Sequence, residues 1–369
     1  MDKSLIGQPL QALDTPALLV DYQVLTANLA SLQESAEAAG LEVRPHIKAH
    51  KTPEIAQMQI RAGAAGVTAA KIGEAEVMAT AGLEDIFIAN CLIGETKMKR
   101  LVALARRVPR LSLAVESLES ARQLSAAFAQ AGLTLEILLE IDNGAQRCGL
   151  LPENAVAFAR QIAALPALRI IGIMAYAAGA YQCRTEADRY AFTRQEGASL
   201  AAIAADLSAA GVEMRRISGG CTPTAGRYER GCGLTEIRCG TYCLNDYNQI
   251  DLGSCTRAQV GATVLATVVS HPCPDRVIID AGTKALGQQV SQLTQGYGWL
   301  VQPPDANVVK INDEHGYLDA AAADLYIGDK VQVIPPRLCT CLNLYGEMVV
   351  VEAGVVRDVW QIAARGKNA

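Results

Sequence analysis

The chain has 369 residues, 50% hydrophobic and 19% charged, which is ample for a large buried core. A net charge of −5 without any Lys/Arg run argues against nucleic acid as a partner, and no charge-free apolar stretch approaches the ~20 residues that span a bilayer. Eleven scattered Cys, an odd number, and an N-terminus without an apolar signal region predict a cytoplasmic protein with reduced thiols.

In chain order, ALLVD (17–21) opens a series in which short apolar runs alternate with Ala/Leu-rich amphipathic stretches. LEVRPHI (41–47), GVTAA (66–70), DIFIAN (85–90), LSLAVE (111–116), LEILLEID (135–142), IIGIMAY (170–176) and MRRISGG (214–220) continue it. Several of these runs are apolar on both faces, as parallel strands must be. Eight such runs at β/α spacing predict a TIM-type (β/α)8 barrel over 17–250, with a doubly wound sheet as the alternative that the pattern leaves open. After residue 250 strand-like runs follow one another with little helical pattern. They predict a smaller, mostly antiparallel β domain over 251–369.

In either fold the chemistry belongs at the C-terminal ends of strands, and the unusual polar residues sit there. RPHIKAHK (44–51) is the densest signal, with Arg44, His46, Lys48, His50 and Lys51 in eight residues. If Pro45 to Ile47 are extended, Lys48 points into a barrel mouth. There the neighbouring cations disfavour its ammonium form and free the amine as a nucleophile. A solvated basic loop is the other reading. EIDNGAQRCG (140–149) offers Arg147 after a strand, or an ordinary Asp-Asn-Gly turn. SGGCTPT (218–224) supplies Gly219, Gly220 and Thr222, a backbone-and-hydroxyl set suited to a phosphate. EIRCGTY (236–242) supplies a second such set in Gly240, Thr241 and Tyr242, with Arg238 beside it.

RPHIKAHKT, GVTAAKIGEAEVMATAGLEDIFIAN, EIDNGAQRCG, SGGCTPT, EIRCGTYCLND, IDAGTKAL and NDEHG together resemble the D-threonine aldolase and D-serine dehydratase family. That family falls within the alanine-racemase-like (fold-type III) pyridoxal phosphate enzymes. The resemblance covers essentially the whole chain. It implies a barrel with an accompanying β domain, residues 1–16 packed with that domain, and a homodimer with active sites at the subunit interface. It also implies pyridoxal phosphate held by Lys48 as a Schiff base. Arg147 is expected near the cofactor's phenolic oxygen, Tyr176 beside the cofactor and Arg238 facing the pyridine nitrogen. Gly219, Gly220, Thr222, Gly240, Thr241 and Tyr242 are expected around the phosphate, with His50 among the catalytic residues.

The chain departs from the family in its β domain. Relatives carry a His-x-Cys or His-x-Asp pair that binds a divalent metal. IPPRLCTCLNLYG has Arg337 at the His position and Cys339 two residues on, read here as one face of a strand. Arg offers only donors, so it is expected to act as a fixed cation for a carboxylate, leaving Cys339 as a lone candidate metal ligand. The expected function is a pyridoxal phosphate-dependent lyase acting on a β-hydroxy D-amino acid. A metal-independent racemase or epimerase is the alternative, and a non-catalytic pyridoxal phosphate carrier a third reading.

Overall fold

The computed structural model describes residues 3–273, 276–291 and 293–369. The chain divides into two units. One comprises residues 30–48, 55–240 and 367–369; the other comprises residues 1–29, 49–54 and 241–366.

The first unit is built on eight parallel strands. In chain order they are β2 (Glu42–Val43), β3 (Val67–Ala69), β4 (Asp85–Ile88), β5 (Arg110–Val115), β6 (Leu135–Ile141), β7 (Leu168–Ala175), β8 (Arg216–Gly219) and β9 (Glu236–Ile237); β1 lies in the other unit. They pair in the order β2-β9-β8-β7-β6-β5-β4-β3. A parallel bridge between His46 and Thr68, with Thr68 N–H donating to Pro45 O at 2.8 Å, joins the two ends and closes the barrel. The intervening helices are α1 (Tyr22–Ala39, whose first turns belong to the other unit), α2 (Pro53–Arg61), α3 (Ile72–Thr80), α4 (Glu95–Ala105), α5 (Leu118–Ala131), α6 (Ala155–Ala163) and α7 (Glu186–Ala209). Local capping fixes several of these. The Thr185 hydroxyl accepts from Asp188 N–H while the Asp188 carboxylate accepts from Thr185 N–H, a reciprocal box that starts α7.

Buried ion pairs cross the N-terminal end of the barrel. Arg44 pairs with Asp85 and, at 2.9 Å, with Glu236, the first residues of β4 and β9. Arg110 and Arg216, which open β5 and β8, reach Asp85 at 3.0 and 3.6 Å. Burial opposes the Glu236 charge, yet the neighbouring arginines hold its carboxyl below the usual range. Arg44 therefore lies at the strand starts and supplies no charge at the Lys48 end. That corrects the expectation that it helps deprotonate Lys48.

The second unit holds one nine-stranded sheet. It combines β1 (Ala17–Asp21) with β10 (Ala262–Cys273), β11 (Arg276–Ile279), β12 (Trp299–Leu300), β13 (Val308–Ile311), β14 (Gly316–Leu318), β15 (Lys330–Ile334), β16 (Glu347–Glu352) and β17 (Val355–Gln361). The main path runs β13-β14-β11-β10-β1-β16-β17, and β15 also pairs with β10 and β12. Only β1 with β16 is parallel among the described pairs. Short helices α8 (Tyr247–Asp251), α9 (Thr283–Leu286) and α10 (Leu338–Leu342) complete the unit.

ALLVD was expected to open the barrel, but it forms β1 inside this sheet, antiparallel to β10. Its three central residues are buried, so its pattern is indistinguishable from a barrel strand. The eighth barrel strand is instead the two-residue β9, too short to leave a run. Residues 7–10 follow the rule of edge pairing: Gly7 N–H donates to Val356 O at 2.9 Å and Leu10 N–H to Gly354 O at 3.1 Å. Leu13, Leu19, Leu265, Val349, Val356 and Val359 share one apolar cluster. All eleven cysteines lie outside disulfides, and no helix is long and apolar enough to cross a membrane.

Candidate active site

Lys48 leaves the end of β2 in a single 3-10 turn, Ile47–Ala49, and not in the extended phase expected of residues 45–47. Its side chain is exposed, with Nζ 5.8 Å from the ring centroid of Tyr176, the residue after β7. The Arg147 guanidinium lies 4.9 Å from the same centroid. Lys48 and Arg147, from two separate sequence motifs, thus converge on the Tyr176 ring at the C-terminal end of the barrel, within cation–π range.

The loop that carries Arg147 folds back tightly onto β6. Asp142 N–H donates to Leu150 O at 2.9 Å, Leu150 N–H to Glu140 O at 2.8 Å, and Gln146 N–H to the Asp142 carboxylate at 3.0 Å. Gly149 makes the return possible. Its φ is +118°, and a Cβ there would stand 2.4 Å from Asp142 N.

Arg238 is 6% exposed, which rules out a surface arginine. Nη2 donates to Ala175 O at 2.5 Å, Nη1 donates to the Ser218 hydroxyl, and the guanidinium lies 5.8 Å from the Phe87 centroid. Burial pulls its pKa down, while Glu236, Glu196 and Glu140 support the charge. Ser218 donates in turn to Glu236 at 2.5 Å, which ties Arg238 to the ion pairs at the other end of the barrel.

The 219–224 loop differs from expectation at one amide. Gly220 N–H, expected to be bare, donates to the Glu196 carboxyl at 3.0 Å. Cys221 N–H donates to the Thr224 hydroxyl at 3.0 Å. Thr222 is buried, and its N–H and hydroxyl have no protein partner among the described residues. It remains the donor pair suited to a phosphate oxygen.

Cys91, Glu116 and Glu140, at the ends of β4, β5 and β6, were not anticipated. Their ligand atoms lie within 4.8 Å of one another. Glu116 accepts from Gly149 N–H, and Cys91 Sγ lies 3.7 Å from Glu140. Burial and then the Glu116 charge push the Glu140 carboxyl up, against Arg147 and Arg238; burial and both carboxylates keep Cys91 a thiol. The sequence signal was present: Glu116 ends the apolar run LSLAVE, and Glu140 stands near the end of LEILLEID.

Gly240 is the last residue of the first unit's main segment, and the remaining predicted residues belong to the second unit. His50 is buried, and its Nδ1 accepts from Thr52 N–H at 3.2 Å, which shapes the turn before α2. Thr241 and the buried Tyr242 form the next 3-10 turn, with Thr241 Oγ1 3.9 Å from Cys339 Sγ. His315 sits exposed in the β13–β14 hairpin, where its N–H donates to Asn312 at 2.9 Å.

Arg337 and Cys339 are not on a strand. β15 ends at Ile334, Arg337 is the N-cap of α10, and Cys339 lies within that helix. Residues two apart on a helix point to different sides, so the one-face geometry expected for the pair is lost. Asp246 fixes this segment: one oxygen accepts from Leu338 N–H at 3.0 Å and the other from Gln249 N–H at 3.1 Å, capping α10 and α8 together. Cys341 turns away, its thiol donating to Ala285 O at 3.1 Å. Among the described residues Cys339 belongs to no group of three potential metal ligands, and Arg337 cannot coordinate. The donor set at Cys339 does not fit a divalent metal.

Comparison with known proteins agrees with this architecture. The alanine racemase N-terminal domain profile matches residues 20–247, and a domain named for serine dehydratase matches residues 261–351. D-threonine aldolase of an Arthrobacter species is 36% identical over 98% of this chain and 95% of its own length. D-threo-3-hydroxyaspartate dehydratase of a Delftia species is 31% identical over 89% of this chain and 92% of its own. The crystal structure of D-threonine aldolase from Filomicrobium marinum superposes with a TM-score of 0.90 at 29% identity, covering 99% of both chains. With both domains matched in order and relatives of this identity spanning its length, the chain belongs to the D-threonine aldolase and D-serine dehydratase family of alanine-racemase-like proteins.

Proposed function

We propose that this protein is a pyridoxal phosphate-dependent lyase acting on β-hydroxy D-amino acids. It either cleaves Cα–Cβ as a D-threonine aldolase does or removes the β-hydroxyl as a D-serine dehydratase does. The observation that carries this reading is the meeting of Lys48 and Arg147 at the Tyr176 ring, in a chain of this family. The unpartnered donors of Thr222, at the same end of the barrel sheet, are the observation that fits a phosphate group.

Lys48, Arg147, Tyr176, Gly219, Thr222, Arg238 and Gly240 would hold the cofactor. Pyridoxal phosphate supplies an electron sink for the electrons released at Cα when a bond there breaks. Lys48 would supply the amine that holds the cofactor and the base that moves a proton at Cα. Arg147 would donate towards a phenolate oxygen. Arg238, held by Ala175 O and Ser218, presents donors and no acceptor, so it would favour an unprotonated ring nitrogen facing it. Arg337, in the homodimer that the reading includes, supplies a fixed cation for a second carboxylate. The Delftia relative, whose name carries an acidic substrate, supports that preference.

Two measurements test the reading. Borohydride reduction of the holo-protein followed by peptide mapping should place a pyridoxyl group on Lys48, and Lys48→Ala should abolish both the label and turnover. Proton NMR in D2O with D-threonine and with D-threo-3-hydroxyaspartate, each with and without EDTA, separates the chemistries. Glycine plus an aldehyde means aldol cleavage, and a 2-oxo acid means dehydration. Exchange of the α-proton with an intact skeleton would overturn the lyase in favour of a racemase. Inertness of both substrates with bound cofactor would favour a carrier.

A further inference from the structure

Glu196, on α7, is 1% exposed. One carboxyl oxygen accepts from Gly220 N–H at 3.0 Å. The other lies 2.6 Å from the Tyr228 hydroxyl, which is itself 3.0 Å from Thr224 Oγ1. Thr224 Oγ1 closes the circuit by accepting from Cys221 N–H at 3.0 Å. Glu196 therefore holds Gly220 at one end of the 219–224 loop directly. It holds Thr224 at the other end through Tyr228. Thr222, the residue with unclaimed donors, is suspended between these two anchors.

The backbone is shaped to bring Glu196 there. A Cβ on Gly197 would lie 1.9 Å from Cys232 O, so only glycine lets α7 approach this closely. A Cβ on Gly219 would lie 2.8 Å from Glu196 Oε1, so the strand end is also cut back to admit the carboxyl. Burial pushes the Glu196 carboxyl up, against the pull of Tyr228, Gly220 N–H and Arg238. Burial thus works against negative charge behind a phosphate. It also holds Cys221 and Cys239, whose buried sulfurs lie near Glu196, in their thiol forms.

We propose that Glu196 is the positioning residue of the anion-binding loop: acting through Gly220 and the Tyr228–Thr224 pair, it presents the Thr222 donors to the phosphate of the cofactor without touching it. This rests on the cofactor assignment above and deepens it. A loop held at both ends by buried hydrogen bonds is preorganised, so its ligand is spared the cost of ordering it.

The test compares pyridoxal 5'-phosphate with pyridoxal, which lacks the phosphate, on the cofactor-stripped full chain. Glu196→Ala should weaken the phosphorylated aldehyde about tenfold, in line with loss of one buried hydrogen-bonded anchor, and leave pyridoxal within about twofold. Glu196→Gln, which keeps an oxygen for Gly220 N–H, should restore most of the difference. Tyr228→Phe preserves volume and severs only the second anchor, and should give a smaller loss confined to the phosphorylated compound. Equal losses for both aldehydes, or none in either variant, would overturn the proposal. If Glu196→Ala does not fold, the same criterion applies to Tyr228→Phe. Wild-type protein that binds neither aldehyde would bring down the cofactor assignment itself, whereas unchanged ratios in a cofactor-binding protein bring down only the role of Glu196.

Discussion

A single carboxylate, Asp246, shows how residue chemistry shapes the second unit. It sits in NDY, a stretch with no obvious periodicity, yet it caps two helices at once and fixes the backbone next to Arg337. Burial pushes its carboxyl up to about 6, against the two amides and Arg337. Its acid form is thus favoured in the folded state relative to the ordinary value of 3.8. As pH rises, the unfolded chain loses this proton first. The group contributes no penalty below about pH 4, and the penalty is complete above about pH 6, approaching about 3 kcal/mol. In Asp246→Asn one capping acceptor is lost, costing roughly 1 kcal/mol at pH 4. Urea unfolding across pH 4 to 7 should show the wild-type advantage shrinking as pH rises, because only the wild type carries the titrating penalty. Lys48, Arg147 and Tyr176 were legible because they stand at strand ends in spaced motifs. Asp246 and Glu196 were not, because they act through backbone amides brought close only by the fold.

At the scale of elements, strand starts and strand ends do different work in the barrel. The starts of β4, β5, β8 and β9 bring Asp85, Arg110, Arg216 and Glu236 together around Arg44. Removing Glu236 leaves the buried Arg44 and the largely buried Arg216 short of a carboxylate partner. Glu236→Gln should therefore cost about 3–5 kcal/mol in denaturant unfolding, more than its one net charge at a surface would suggest. Retained stability within about 1 kcal/mol would mean that the network is solvated in solution. Element type was read well for the apolar runs from LEVRPHI to MRRISGG, each of which holds a barrel strand. It failed at IPPRLCTCLNL, where five residues of α10 are too few to show a helical period and the preceding strand seemed to continue. Short elements such as β9 and α10 depend on partners distant in sequence, Glu42 and Val43 for one and Asp246 for the other.

For the whole molecule, order along the chain misled where order in space differs from it. The alternation of runs correctly announced a barrel and a following antiparallel sheet, because parallel strands buried on both faces and half-exposed strands leave different patterns. It misplaced ALLVD, since burial on both faces looks the same in either sheet. Val20 pairs with Val350 on one side and Ala262 on the other, so β1 is an interior strand of a sheet otherwise built from the last third of the chain. Deleting residues 3–21 should therefore unfold the distant sheet, with β10 and β16 losing their common neighbour. Hydrogen exchange in Ala262–Cys273 and Glu347–Glu352 should rise sharply, while a truncation that leaves those amides protected would contradict the pairing.

The position of β1 also bears on how the protein is made. Its first strand leaves the ribosome long before either neighbour exists, and every residue of the eight-stranded barrel is synthesised in the interval. The barrel can close as it emerges, whereas the nine-stranded sheet must wait until β16 and β17 have been made, with an apolar segment uncommitted throughout. A fusion joined ahead of β1 would therefore be attached to a strand that is made before the barrel and docks after it.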